Sequence, residues 1–307
     1  MDYVKIASNC SFENSANSPL KKITSIANFK HGSLVYGFYI CNKKQIRFTK
    51  YGDPFLDLEL YDNSGIIYAK MWTRVDYYKN KIIINEPFAV KGKVALYNNQ
   101  LQLELLQIKK INTTIYKKYG FKKELFYKTE PSLNKIWIGV TKIINSLSTE
   151  YKVLVSNIYN KYSEIIKILP ENINEYPEIR GSYISSKLIA AKIGIDIIKY
   201  FPSLNRDLLL SGILLKNIGM VKAVKLDFKS NYTEEAKSIG VQTLTIKIIL
   251  NQIEKLKKLS KYDTFNLEKL ILFDSIDASD ILIECSEKYI LNNIFNICTI
   301  DKKIVKD

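Results

Sequence analysis

The sequence predicts a two-domain α+β chain, a small N-terminal β-barrel followed by an all-α domain. Three observations carry this. The 307 residues suffice for about two ordinary domains, and a hydrophobic fraction of 47% lets each build a core. Between residues 34 and 108 apolar and polar residues alternate with a period of two, the repeat of half-buried strands. Beyond residue 134 the apolar spacing changes to the three-and-four repeat of helices.

The elements follow in order. Residues 1–30 are polar, with Asn and Ser clusters, and are expected to form an arm. LVYGFYIC (34–41) is strand-like, and KYGDP (50–54) carries turn chemistry. PFLDLELYD (54–62) alternates strictly, with Leu56, Leu58 and Leu60 on one face and Asp57 and Glu59 on the other. DNSG (62–65) is a tight turn into the strand GIIYAKMW (65–72). EPFAVKGKVALY (86–97) and QLQLELLQI (100–108) flank Asn98-Asn99, a two-residue hairpin loop, with Leu101, Leu103 and Leu105 sharing a face. Five strands whose longest connection separates the third from the fourth predict an OB-type barrel over residues 31–115.

KKYGFKKELFYKTEPS (117–132) reads as basic, so 116–133 is expected to be a linker. Its charge run is a candidate phosphate contact or simply a solvated stretch. In the helical domain, 134–300, Ile184, Leu188, Ala191, Ile195 and Ile198 form an apolar stripe. YFPSLNRD (200–207) breaks that helix, and DLLLSGILLKNIG (207–219) starts the next. Thr233, followed by Glu234 and Glu235, is an N-cap with an acidic first turn for a helix running to about Leu259. Asn266 is expected to cap the last long helix, LEKLILFDSIDASDILIEC (267–285).

Composition bounds the function. A net charge of +15 favours polyanionic partners such as RNA, DNA or anionic lipid. The chain is also rich in Lys, Ile and Asn and poor in Arg, as A/T-biased coding produces, so lysine accumulating without selection for binding is the competing reading. Cys10, Cys41, Cys285 and Cys298 form no CxxC pair, which excludes a zinc knuckle and leaves inert thiols in a reducing compartment as the expectation. No apolar run of membrane-spanning length and no basic-then-apolar leader is present; no membrane and a cytoplasmic location are expected. No P-loop, dinucleotide fingerprint or nucleophile elbow occurs. The single histidine, His31, excludes any mechanism that needs two histidine ligands from one chain, and a local hydrogen-bonding role suits it best.

OB-type barrels hold single strands by stacking bases on aromatic rings in a basic groove. The candidates here are Phe38, Tyr39, Arg47, Phe48, Lys50, Lys70, Trp72 and Tyr97, with Tyr36, Tyr77, Tyr78, Lys91 and Lys93 as further members. Arg47, Lys50, Lys70 and Trp72 lead the set. With 21 tyrosines in the chain, core packing competes for any single ring. Asp57, Glu59 and Glu104 argue that one barrel face is not for nucleic acid. Asp274, Asp277 and Asp280 share a helical stripe, which suits a solvated acidic face better than a carboxylate-only Mg²⁺ site.

Two stretches carry a family resemblance. QIRFTKYGDPFLDLELYDNSGIIYAKMW (45–72) resembles the OB domain of the YhaM-type 3'-5' exoribonucleases, and FPSLNRDLLLSGILLKNIGMV (201–221) resembles their helix ending in H-D-I-G-K. The resemblance spans roughly residues 34–110 and 175–285. It implies an HD-type helical domain in which His and Asp side chains hold divalent metals that activate water against a phosphodiester. This chain departs at the ligand positions. Ser186 stands for the first His, Lys216 and Asn217 for the HD pair, Met220 for the usual Lys, and Val241 for another His. The His-His-Gly stretch is replaced by LSKYDTFN (259–266), and Asp277 or Asp274 is the nearest match to the last ligand. The resemblance therefore implies a helical domain with a degenerate site, no bound metal or other cofactor, and single-stranded RNA or DNA as partner, with a homo-oligomer through the helical domain as a further possibility. The Lys216 ammonium would stand in for the missing metal charge by pairing with Asp277, or extend to solvent. Two alternatives stay open: an exoribonuclease using Mn²⁺ or Mg²⁺ at a rearranged carboxylate site, and an interaction protein without nucleic acid.

Overall fold

The computed structural model describes residues 23–272 and 286–304. The chain divides into two compact units, the first ending at Phe126 and the second beginning at Tyr127. In the first unit β1 (Leu34–Phe48), β2 (Pro54–Asp62), β3 (Gly65–Met71), α1 (Val75–Tyr78), β4 (Pro87–Tyr97), β5 (Gln100–Lys110) and α2 (Thr113–Tyr116) follow in order. The strands close as β1-β2-β3-β5-β4 and back to β1, with β3 and β5 parallel and the other pairs antiparallel. This is the OB-type barrel the strand pattern predicts. β1 serves two partners: its first half pairs with β4 and its second with β2, the register slipping between Cys41 and Lys43.

The turns follow from their side chains. Asp62 Oδ1 accepts from the amides of Ser64 and Gly65, at 2.8 and 3.1 Å, which closes the β2–β3 turn. Asn98 and Asn99 both have positive φ, 48° and 60°, as a two-residue hairpin turn requires. Leu56, Leu58 and Leu60 fill the barrel with Ile67, Ala69, Met71, Val90, Val94, Leu103, Leu105 and Ile108.

Two details depart from the period-two reading. Leu101 is exposed, and Ile108 takes an inward place because the β4–β5 register slips at Lys91/Gly92 and changes the alternation along β5. Glu59 is buried rather than solvated; Asn42 donates to its carboxylate, and Lys43 pairs with it at 3.0 Å.

Tyr39 is fully buried, and its ring lies over Gly37. A Cβ on Gly37 would fall 2.0 Å from the Tyr39 hydroxyl. Gly37→Ala is expected to lower barrel stability by about 1–3 kcal/mol through overpacking. Thermal unfolding followed by circular dichroism checks this, and an unchanged midpoint would show that the ring relocates freely.

The segment expected to be a linker is partly barrel. Tyr116, Phe121 and Phe126 are buried, and the rings of Tyr116 and Phe121 stand 5.7 and 5.2 Å from that of Phe38. Its lysines stay exposed while these rings hold the segment down. The end of the predicted arm also joins the barrel, since Ile26 and Phe29 enter its core.

The second unit contains β6 (Tyr127–Thr129), α3 (Leu133–Asn145), α4 (Thr149–Lys161), α5 (Ser163–Ile166), β7 (Glu178–Arg180), α6 (Ser182–Tyr200), α7 (Arg206–Leu215), α8 (Met220–Ala223), β8 (Val224–Lys225), β9 (Asn231–Tyr232), α9 (Glu234–Leu256), α10 (Lys261–Leu272) and α11 (Ser286–Ile304). The predicted break after Tyr200 is present, and Asn205 caps α7 by accepting from the Leu208 amide at 3.0 Å. Thr233 caps α9 through the Ala236 amide at 3.2 Å. Gly240 interrupts that helix with φ 78° and ψ 160°.

Three expectations are corrected. Asn266 is not a cap but lies inside α10, which opens after Ser260, whose hydroxyl accepts from the Asp263 amide at 3.0 Å. α7 stops at Leu215, because Asn217 is left-handed, with φ 57°. The deepest face of α6 combines Ile184 and Ala191 with Tyr183, Ser186, Lys187, Ala190 and Gly194, while Leu188, Ile195 and Ile198 of the predicted stripe are only half-buried. Among the described residues no helix is long and apolar enough to cross a membrane.

Candidate functional site

The outer face of β2 and β3 gathers rings and cations. Ile67, Ala69 and Met71 point into the core, so Tyr68, Lys70 and, just past the strand, Trp72 point out. The β2–β3 register sets Asp57 opposite Lys70, and one step further the rings of Phe55 and Trp72 stand 4.6 Å apart. The Lys70 ammonium lies 5.3 Å from the Phe55 ring centre, 5.6 Å from Trp72 and 5.2 Å from Tyr97, all within cation–π range. The end of β1 and the loop after it add Phe48 and Tyr51, with the Lys50 ammonium 4.9 Å from the Tyr51 ring. Trp72, Tyr97 and Phe48 are 45%, 61% and 68% exposed, so their faces are available.

The carboxylates of this face are matched by cations. Arg47 pairs with Asp57 at 2.9 Å, Lys43 pairs with Glu59, and Glu104 sits in register between Lys70 and Lys93. Such a surface can stack flat π systems and place ammonium groups beside an attached anion. The charge is concentrated in the first part of the chain: residues 1–126 carry 20 Lys and Arg against 10 Asp and Glu, so two fifths of the chain holds two thirds of the net charge.

Of the residues expected to bind, Arg47, Phe48, Lys50, Lys70, Trp72 and Tyr97 come together on β1, on β3, in the loops that follow them and at the end of β4. Phe38 and Tyr39 do not. Phe38 is covered by Tyr116 and Phe121, and Tyr39 is inside the barrel. The Tyr39 hydroxyl donates to the Thr24 carbonyl at 2.6 Å, and burial raises its pKa above the usual phenol range. Tyr36 and Lys91 face each other across β1 and β4, 5.6 Å apart. Tyr77 lies between Arg74 and Lys81, at 5.3 and 3.7 Å, in the connection from β3 to β4. Phe55, Tyr51 and Tyr68 were missed; Tyr68-Lys70-Trp72 is itself a period-two run that a closer reading of the alternation exposes.

In the helical unit several of the positions expected to be degenerate are connected. The Lys216 ammonium donates to Asn292 Oδ1 at 3.2 Å and lies 5.2 Å from the Phe295 ring, both on α11. Lys187, absent from the expected set, is buried. Its ammonium donates to the Lys216 carbonyl at 2.6 Å and lies 4.5 Å from the same Phe295 ring. The Tyr183 hydroxyl donates to that carbonyl at 3.1 Å, and Ser186 donates to Glu171. After Asn217 the chain reaches Gly219, whose amide donates to Thr245 Oγ1 at 2.9 Å, and that hydroxyl donates to the Val241 carbonyl at 2.9 Å.

Asp274, Asp277 and Asp280 lie outside the described residues. Two ammonium groups share the Phe295 ring, and His31 sits in an exposed turn of the first unit. Among the described residues no group of three or more His, Cys, Asp or Glu could hold a metal ion. Among the described residues, the two ammonium groups placed here would repel a divalent cation. Cys41 and Cys298 are buried free thiols, and burial pushes the Cys41 pKa up to about 12.

The fold and this face define a chain with an OB-type barrel that carries an aromatic and cationic surface, followed by a helical unit. Its sequence is similar to proteins named 3'-5' exoribonuclease YhaM. It is 26% identical over 212 residues to the one from Oceanobacillus iheyensis, covering 66% of this chain and 64% of the relative. It is 28% identical over 231 residues to the one from Bacillus licheniformis, covering 72% and 69%. The match thus spans about two thirds of each relative's length. No family model matches the chain. Among solved structures, the second OB-fold domain of replication protein A from Methanococcus maripaludis aligns with 30% of this chain and 96% of its own at 17% identity and a TM-score of 0.25. The single-stranded DNA binding protein from Thermus aquaticus aligns with 26% and 40% at 16% identity and a TM-score of 0.23.

Proposed function

We propose that this protein binds single-stranded nucleic acid through the barrel and does not hydrolyse it. The observation that carries the binding reading is the β2–β3 face, where Trp72, Tyr97 and Phe48 expose their rings beside Lys50 and Lys70 while Arg47 neutralises Asp57. The relatives named as exoribonucleases and the uneven charge point the same way. The reading of inactivity rests on the donor set. The resemblance sets Ser186, Lys216, Asn217 and Val241 where those enzymes need metal-binding side chains, and the chain has no histidine besides His31.

The test is one assay with two readouts, in which labelled single-stranded RNA and DNA are mixed with the full chain in Mn²⁺, Mg²⁺ or EDTA. Trp72→Ala is expected to weaken binding about 5- to 150-fold, the loss of one stacked base at about 1–3 kcal/mol. Wild-type binding is expected to fall as salt rises, with the strand intact in every metal. Equal affinity for wild type, Trp72→Ala and Tyr97→Ala would remove the barrel face from the interface. Metal-dependent shortening from the 3' end, lost on changing Asp277, would establish the competing reading of an active exoribonuclease.

A further inference from the structure

The helical unit has a depression of about 240 Å³ between α4, α8 and α9, lined by Lys161, Tyr162, Lys222, Asn251, Gln252 and Lys255 among others. No carboxylate lines it. None of the three lysines forms an ion pair among the described residues, although elsewhere in this unit Lys167, Lys199 and Lys237 each pair with an acid one helical turn away. The Lys161 ammonium lies 5.1 Å from the Tyr162 ring. Lys161 and Lys255 lie in the last turns of α4 and α9, where the helix dipole welcomes a cation. Lys222, on the single-turn α8, has no comparable dipole to answer.

Three like charges lining one small polar depression give it a positive potential that favours an entering anion. Ammonium, amide and hydroxyl groups supply N–H and O–H donors suited to phosphate oxygens, lysine acting as a point charge.

We propose that this depression binds phosphate groups, supplied by the backbone of a nucleic-acid strand or by a free nucleotide. It is a site separate from the barrel face and does not depend on it.

The experiment uses the full chain carrying Lys161→Gln, Lys222→Gln and Lys255→Gln together, a matching triple Lys→Arg variant, and Trp72→Ala. Calorimetry with pyrophosphate reads the site alone. Wild type, the Arg triple and Trp72→Ala are expected to bind, with affinity lost at least tenfold in the Gln triple. Single-stranded RNA of about 30 nucleotides then reads the source. A backbone ligand makes the slope of log affinity against log salt shallower by about 2 in the Gln triple, close to 0.7 per lost phosphate contact. Pyrophosphate binding with an unchanged RNA slope assigns the site to free nucleotides or phosphate. Equal pyrophosphate affinity in wild type and the Gln triple overturns the proposal, and a shift confined to the unfolding temperature leaves these lysines a structural role only, which overturns it too.

Discussion

Glu178→Gln is expected to lower the stability of the helical unit by about 3–5 kcal/mol, the range for leaving a buried charge without its partner. Glu178 and Arg180 are both buried on β7, 3.2 Å apart. The Ser230 amide and hydroxyl donate to the two carboxylate oxygens. Arg180 donates to the Asp227 carbonyl at 2.8 Å and lies 4.7 Å from the Tyr127 ring, while its Nε has no hydrogen-bond partner among the described residues. A guanidinium cannot shed its charge, so neutralising Glu178 strands a buried cation.

Arg180→Met is expected to cost less. Burial already raises the Glu178 pKa above the ordinary carboxylate value, against the pull of Arg180 and Ser230, and without Arg180 the carboxyl can take up a proton. The folded state then binds more protons than the unfolded state above the unfolded value of 4.5, so the stability of Arg180→Met falls as pH rises through that window. Urea unfolding followed by helical circular dichroism at several pH values checks both expectations. A Glu178→Gln loss below about 1 kcal/mol, or an Arg180→Met variant that gains stability with rising pH, would contradict this account.

Gly219→Ala is expected to be comparably damaging, at about 3 kcal/mol, the upper end for overpacking. Its backbone is ordinary, with φ −55° and ψ −21°, so conformation does not demand glycine. Space does. A Cβ there would meet the Val241 carbonyl oxygen at 2.4 Å and the Thr245 amide nitrogen at 2.6 Å, both backbone atoms of α9 that no rotamer change can move. α8 would have to lift from α9, which also breaks the Gly219–Thr245 hydrogen bond and releases the Lys216–Asn217 segment. Thr245→Ala in the same chain is not expected to restore stability, because the obstructing backbone remains. Full rescue by Thr245→Ala would show that the clash is with the hydroxyl instead.

The barrel was legible because its alternation is nearly unbroken and its turns carry Asp62, Asn98 and Asn99. The phase of β5 was not, since a register slip shows itself only once β4 is paired beside it. Trp72, Lys70 and Tyr97 could be picked from residue type, yet Phe38 and Tyr39 have the same type and are core. What separates them is the later segment holding Tyr116 and Phe121, a distant packing event with no local signal. Lys187 was hidden for a related reason. A lysine interrupting an apolar helix suggests a solvent face, whereas here the Lys216 carbonyl and the rings of Tyr183 and Phe295 receive the ammonium inside the fold. The lysines of the α4–α8–α9 depression lie far apart in sequence, and only the helix packing reveals their common address.

Because β1 pairs with β2 along one half and with β4 along the other, every strand of the barrel has a neighbour on both sides. Among the described residues, free main-chain edges are thereby confined to short stretches, since each half of β1 faces only one partner strand. A ligand of the barrel is therefore read mainly through side chains and loop tips, so its affinity responds to single side-chain replacements more than to main-chain complementarity. The same closure shortens the edge that the barrel offers for self-association into sheets.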